Sequence, residues 1–145
     1  MGEIVKCFDY FVKVTENEID FNNHLNNFFY VKWMQDSGIE HSKKNGITLE
    51  TYEKIGATWF ARSHFIEYRA PAYLGDEIVV RTCISDIGKI RSTRVYRFYR
   101  LSDKKLLAEA KTEWVFVDMK SGKPTPIRDE IKDGFVVCND SDLLY

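Results

Sequence analysis

At 145 residues the chain has the commonest single-domain length, enough for one substantial core and too little for two. Hydrophobic residues at 44%, charged residues at 30% and a net charge of -1 describe an ordinary globular protein with no overall attraction for nucleic acid or anionic lipid. The opening stretch Met1-Gly2-Glu3-Ile4-Val5-Lys6 has no apolar leader-like run, and no segment approaches the roughly 18 apolar residues a membrane span needs, so no membrane association and a cytoplasmic location are expected.

Residues 8 to 14 carry aromatic and β-branched side chains at the density of a first strand. Cys7 beside it, with Cys83 and Cys138, makes an odd number of cysteines at wide spacing, which reads as reduced thiols. The run Asp20-Phe21-Asn22-Asn23-His24-Leu25-Asn26-Asn27 is rich in short polar side chains suited to a tight loop and a helix cap. From Phe28 the period changes. Phe29, Tyr30, Trp33, Met34, Ser37, Gly38 and His41 fall on one helical face, and Asn45-Gly46 supplies a left-handed stop, predicting a helix of about 18 residues.

A short second helix is expected over 48 to 55, followed by strands at 57 to 69, Glu77 to Asp86, Arg91 to Leu101 and Leu106 to Asp118. The last alternates Leu106, Ala108, Ala110, Trp114 and Phe116 against Glu109, Lys111 and Glu113, as in a sheet with one face buried. Residues from Thr125 to Tyr145 read as a partly irregular tail. One strand, one long helix and a meander of long strands form an α+β order in which a curved antiparallel sheet of about five to six strands wraps the central helix, the hotdog arrangement, as a single domain over 1–145.

The loop before the helix gathers unlike polar groups in a short span. Asp20, Asn22 and His24 stand at every second residue, so in an extended segment their side chains share one side. The helix that begins near Asn26 or Asn27 offers unpaired N–H groups and the positive end of its dipole to a developing oxyanion. A carboxylate facing such donors suits acyl transfer, with Asp20 as general base or nucleophile.

Asp20-x-Asn22-x-His24-Leu25-Asn26-Asn27-x-x-Tyr30-x-x-Trp33 resembles the D-x-N-x-H-V-N-N-x-x-Y-x-x-W block of plant and bacterial acyl-ACP thioesterases, within the broader 4-hydroxybenzoyl-CoA thioesterase family. Ile66 to Asp76 is similar to that family's E-Y-x-x-P-A-x-x-G-D segment, and Gly122-Lys123-Pro124-Thr125-Pro126 to its ending. The resemblance implies hydrolysis of an acyl thioester of coenzyme A or acyl carrier protein, each entering as part of the substrate with no separate cofactor. It implies catalytic Asp20 aided by Asn22 and His24, the backbone N–H of Asn27 as oxyanion donor, Tyr30 as a substrate contact, and Lys89 and Arg91 near the coenzyme A phosphates. It also implies a homodimer or homotetramer in which sheets become continuous. The chain departs from the plant enzymes at Ala70-Pro71-Ala72, where they carry a further acid.

Simpler roles stand beside these. Helical spacing alone explains Tyr30 and Trp33 as core residues, and Lys89, Arg91, Arg94, Arg97 and Arg100 are expected to form a solvated strand face. His41 and His64 have no partner at metal-ligand spacing, so no metal is expected. No G-x-S-x-G, Walker loop or G-x-G-x-x-G is present. The alternatives are a hotdog enoyl-CoA hydratase, whose D-x-N-P-x-H motif differs at Asn23 and in the position of His24, and a non-catalytic acyl-CoA-binding protein.

Overall fold

The computed structural model describes residues 3–145; Met1 and Gly2, part of the stretch read as lacking a leader, lie outside the described residues. Five antiparallel strands form one sheet: β1 Cys7–Lys13, β2 Ala57–Tyr68, β3 Glu77–Ile87, β4 Arg91–Arg100 and β5 Leu106–Asp118. Their order is β1-β3-β4-β5-β2, so the meander β3-β4-β5 is flanked by the two earlier strands, which take the two edges. The long helix α1, Asn27–Lys44, and the short α2, Leu49–Ile55, connect those edge strands.

The face of α1 predicted to be apolar is the one that is buried: Tyr30, Trp33, Met34, Ser37 and His41. Tyr30, Trp33 and Met34 pack against Ile78, Val80, Tyr96, Phe98, Ala108 and Ala110 from the central strands. A second apolar cluster lies towards the other end of the helix, where Ile47, Ala57, Phe116, Ile127 and Ile131 meet. Register shifts at Ala61/Ser63, Ile84/Asp86 and Phe98/Tyr99 interrupt the ladders, and such bulges bend strands, here allowing the sheet to curve about α1. The shift opposite Leu106 explains why Leu107 and Ala108 are both buried, where strict alternation predicts one. Helix α1 ends at Asn45, with Gly46 in the left-handed region at φ 83, as its sequence predicts.

Two expectations are corrected, on the cysteines and on the arginines of β4, and the partly irregular tail is found to be docked. The segment after Thr125 is pinned to the body: it contains the helix α3, Asp129–Lys132, pairs Val137 with Ile84, and accepts a 2.7 Å hydrogen bond from the Tyr99 hydroxyl at the Leu143 carbonyl. The cysteines are not all free, since Cys83 and Cys138 form a disulfide across 55 residues and Cys7 alone remains a thiol. Their sequence spacing carried no sign of this because the pairing is made by the fold, and the reading of all three as reduced thiols falls with it.

The second correction concerns the arginines of β4. They do not form one solvated face. Arg97 meets Glu109 at 3.6 Å and Arg100 meets Asp76 and Asp103 at 3.2 Å each, while Arg94 is only 5% exposed beneath α1. Successive residues of a strand point to opposite sides, so an i, i+3 series divides between them. No helix among the described residues is long and apolar enough to cross a membrane.

Candidate active site

The chain enters the loop through a 3-10 turn, Glu16–Glu18, closed by the Glu18 carboxylate on the Thr15 N–H at 2.8 Å. Ile19 then pairs with Leu25, so residues 20 to 24 form a closed loop, not the extended segment expected from their alternation. Asp20 N–H donates to the His24 carbonyl at 2.8 Å, and Asn23 N–H to the Asp20 carbonyl at 3.0 Å. Asn23 takes φ 63, a left-handed conformation that asparagine tolerates better than most residues.

The half-buried Asp20 side chain organises this loop. Its Oδ1 accepts from the backbone N–H of Asn22 at 2.8 Å and of His24 at 3.2 Å, while Oδ2 accepts from no group among the described residues. One oxygen is thus held and the other is available to substrate. The Asn22 side chain is exposed and bonds to nothing among the described residues, and the His24 ring packs edge-on against Tyr73 at 5.4 Å between centroids. The loop brings Asp20 and His24 together through the backbone, without joining the three side chains to one another.

Two anchors fix the exit of the loop: Leu25 N–H donates to the Ala72 carbonyl in the β2–β3 connection and Asn26 N–H to the Glu18 carbonyl in the 3-10 turn, both at 2.8 Å. Asn26 caps α1, its side chain accepting from Phe28 N–H at 3.0 Å and its carbonyl from Phe29 N–H at the same distance. The Asn27 N–H, at the first helical position, donates to no group among the described residues, and no acidic residue occupies the first turn. The positive end of the helix is therefore open at Asn27.

Sequence reasoning did not single out Tyr73, and it read Arg100 only as part of a solvated strand face. Arg100 donates to Asp76 Oδ2 at 3.2 Å and to the Pro71 carbonyl at 3.3 Å, and Asp76 in turn accepts from Tyr73 N–H at 2.9 Å. This chain of contacts steadies the segment on which His24 rests. The signal lay in Ala72-Tyr73-Leu74-Gly75-Asp76, read only as a family segment.

Tyr30 is not a surface of this site. It is 2% exposed, with Phe98 and Tyr68 both at 5.0 Å in edge-to-face contact, and burial raises its phenol pKa to about 12. The implied substrate contact is corrected to a core residue. Lys89 and Arg91 are exposed at the β3–β4 turn, whereas the Asp20 loop adjoins the start of β3. The length of β3, roughly 35 Å, separates them within one chain. Among the described residues the sulfurs of Cys7, Cys83 and Cys138 lie within 4.8 Å of one another, but two of them are joined as a disulfide and are not thiolate ligands.

Residues 14–135 match the Thioesterase-like superfamily. The chain belongs to it. This thioesterase-like chain is 27% identical over 124 residues to the acyl-acyl carrier protein thioesterase ATL2 of Arabidopsis thaliana, covering 86% of the chain and 65% of that protein. Its fold is similar to that of Slr0204, a 1,4-dihydroxy-2-naphthoyl-CoA thioesterase from Synechocystis, at TM-score 0.81 and 19% identity over 88% of this chain and 94% of that one. It is similar also to an acyl-ACP thioesterase from Bacteroides thetaiotaomicron, at TM-score 0.83 and 19% identity over 92% of this chain and 54% of the other. At these identities the likeness establishes the hotdog fold of this superfamily member. The chain spans less than two thirds of the curated Arabidopsis relative it matches.

Proposed function

We propose that the chain hydrolyses an acyl thioester, carried by coenzyme A or by acyl carrier protein, to a free acid and a thiol. The observation that carries this reading is a carboxylate with one oxygen held by two backbone N–H groups and the other free, on the loop that leads into an unpaired helix N-terminus at Asn27. Attack on the thioester carbonyl moves negative charge onto its oxygen. The Asn27 N–H stabilises that charge, a contribution of about 3 kcal/mol for a preorganised donor.

Asp20 Oδ2 acts in one of two ways. As general base it takes a proton from water while the water oxygen bonds to the carbonyl carbon; collapse then breaks the C–S bond, and the proton passes to the departing thiolate. As nucleophile it bonds to the carbonyl carbon and expels the thiolate as the C–S bond breaks, leaving a mixed anhydride; water cleaves this to the free acid and the Asp20 carboxylate, and the proton released passes to the thiolate. His24, with a free ring edge, and the exposed Asn22 amide orient the water or the carbonyl. The two catalytic alternatives share the same acceptor oxygen, so one substitution addresses both.

The phosphate-binding role of Lys89 and Arg91 requires a partner copy, because one chain holds them a sheet's length from Asp20. A homodimer or homotetramer formed along an open sheet edge would supply them, in keeping with the family resemblance. The chain's setting is proposed as cytoplasmic.

The test is release of free thiol from a panel of acyl-CoAs and acyl-ACPs by wild type and Asp20→Asn. The asparagine oxygen keeps an acceptor for the Asn22 and His24 N–H groups, so the loop is expected to persist while turnover falls about 10²- to 10⁴-fold. Absence of thiol release by wild type, or an equally fast variant, removes the proposal. Hydration of crotonyl-CoA without thiol release selects the hydratase, and binding without either reaction selects a non-catalytic carrier.

A further inference from the structure

A cavity of about 630 Å³ lies between the C-terminal half of α1, α2 and the sheet, and is covered by the segment that carries Ile127, Ile131 and Phe135. Its volume is in the range of small-molecule sites. The cavity is distinct from the Asp20 loop, none of whose residues lines it. Most of its wall is apolar, yet Lys43, Arg94 and Lys132 contribute to it and no aspartate or glutamate does.

Arg94 is the decisive group. Its guanidinium is buried and takes part in no ion pair among the described residues; Nη1 donates to His41 Nδ1 at 3.0 Å and to Thr82 Oγ1 at 3.1 Å. His41 cannot balance the charge, because its Nε2–H donates to the Val5 carbonyl at 2.6 Å and its Nδ1 is the acceptor, the neutral tautomer. The ring of Phe135, 5.7 Å from the guanidinium carbon, gives partial compensation. Among the described residues the N–H groups on Nε and Nη2 donate to no protein atom, and no sealed side-chain nitrogen or oxygen lacks a partner. These two nitrogens are therefore open to the cavity.

A cationic fork with two free donors on an apolar wall matches a planar carboxylate, which such a fork binds through paired hydrogen bonds. An unpaired buried charge is costly, and a ligand anion removes that cost. Gly38 keeps the approach clear: a Cβ there would lie 3.2 Å from Arg94 Nε. We propose that this cavity binds an amphipathic carboxylate, its anionic end on Arg94 Nε and Nη2 and its hydrocarbon body along the apolar wall. Gly38 lies eleven residues beyond Asn27, about 16 Å along the helix. The carboxylate belongs either to a free carboxylic acid or to the far end of an acyl group whose thioester meets Asp20; the second source rests on the proposed thioesterase activity and the first does not.

Calorimetric titration of the wild-type protein with decanoate and with decanol, both below micelle formation, compares ligands that differ in charge and not in body. One decanoate per chain is expected, bound at least about tenfold more tightly than decanol, equivalent to about 1.4 kcal/mol. In Arg94→Lys, which keeps the charge and loses the fork, the preference should shrink towards unity. Should that variant fail to fold, the arginine Nε resonances of the wild type decide: decanoate should shift one of them and decanol none. Equal affinity for the two ligands, or arginine resonances unmoved at saturating decanoate, overturns the proposal.

The source is separated by kinetics on ω-carboxydecanoyl-CoA and decanoyl-CoA. A preference of about tenfold for the former in kcat/KM, lost in Arg94→Lys, assigns the anion to the substrate and supports the site. Equal rates beside tight decanoate binding assign it to a free acid and also support the site. A protein silent on every thioester that still binds decanoate through Arg94 keeps this inference and removes the hydrolytic one.

Discussion

His41 shows how a residue takes its chemistry from its neighbours. Burial, with the Arg94 charge beside it, lowers its pKa from 6.5 to about 4, against the opposing effect of the bond to Val5. The unfolded chain takes up this proton near 6.5 and the folded chain only near 4, so between those values the unfolded state binds more protons. The histidine's contribution is fully present at neutral pH and is lost as pH falls from about 6.5 towards 4, by up to about 1.4 kcal/mol per pH unit. Urea midpoints at pH 7 and pH 5 should fall more for wild type than for His41→Gln; equal falls in the two proteins would refute the assignment. The sequence placed His41 on the buried face of α1, but not opposite Arg94, because that pairing joins residues 53 apart. The loop, the cap and the helix around Asp20 were legible for a different reason: all are local in sequence.

At the scale of elements the long helix, the short one and all five strands were legible, since each carries its own periodicity and its own turn residues. What failed was the assumption that alternation continues through a whole segment. Residues 20 to 24 close into a loop through Asp20, and the bulges in β4 and β5 change which residues face inward. These are cooperative choices of backbone pairing, on which a residue's own preference is weak. Edge strand β2 carries a further expectation. Phe60 and Phe65 are 63% and 54% exposed there, and the strand's outer backbone groups have no neighbour in the sheet. Such an edge is stable when another strand covers it. Sedimentation velocity at micromolar concentration should give a dimer or larger species for wild type and a monomer for the doubly substituted Phe60→Lys, Phe65→Lys protein. A monomeric wild type would contradict pairing through β2.

Over the whole molecule, the sheet order and the helix across it followed from the succession of elements, whereas the C-terminal segment did not. Its contacts are with residues far away in sequence: Ile84, Tyr99, Cys83 and, through Asp142, Lys6 at 2.9 Å. A segment without strong periodicity gives no local sign of such docking. It nevertheless helps to enclose the cavity at Arg94 and joins the second apolar cluster. The Cys83–Cys138 bond spans the exposed turn at Lys120 and Ser121. A protease that cuts the chain after Lys120 therefore divides the polypeptide without dividing the molecule. Limited trypsin treatment should release the fragment 121–145 on a gel run with reductant and retain it on one run without; its release in both would show that the covalent clasp is absent. The cover of the cavity is thus secured from both sides, by the chain that leads into it and by a sulfur bridge beyond it.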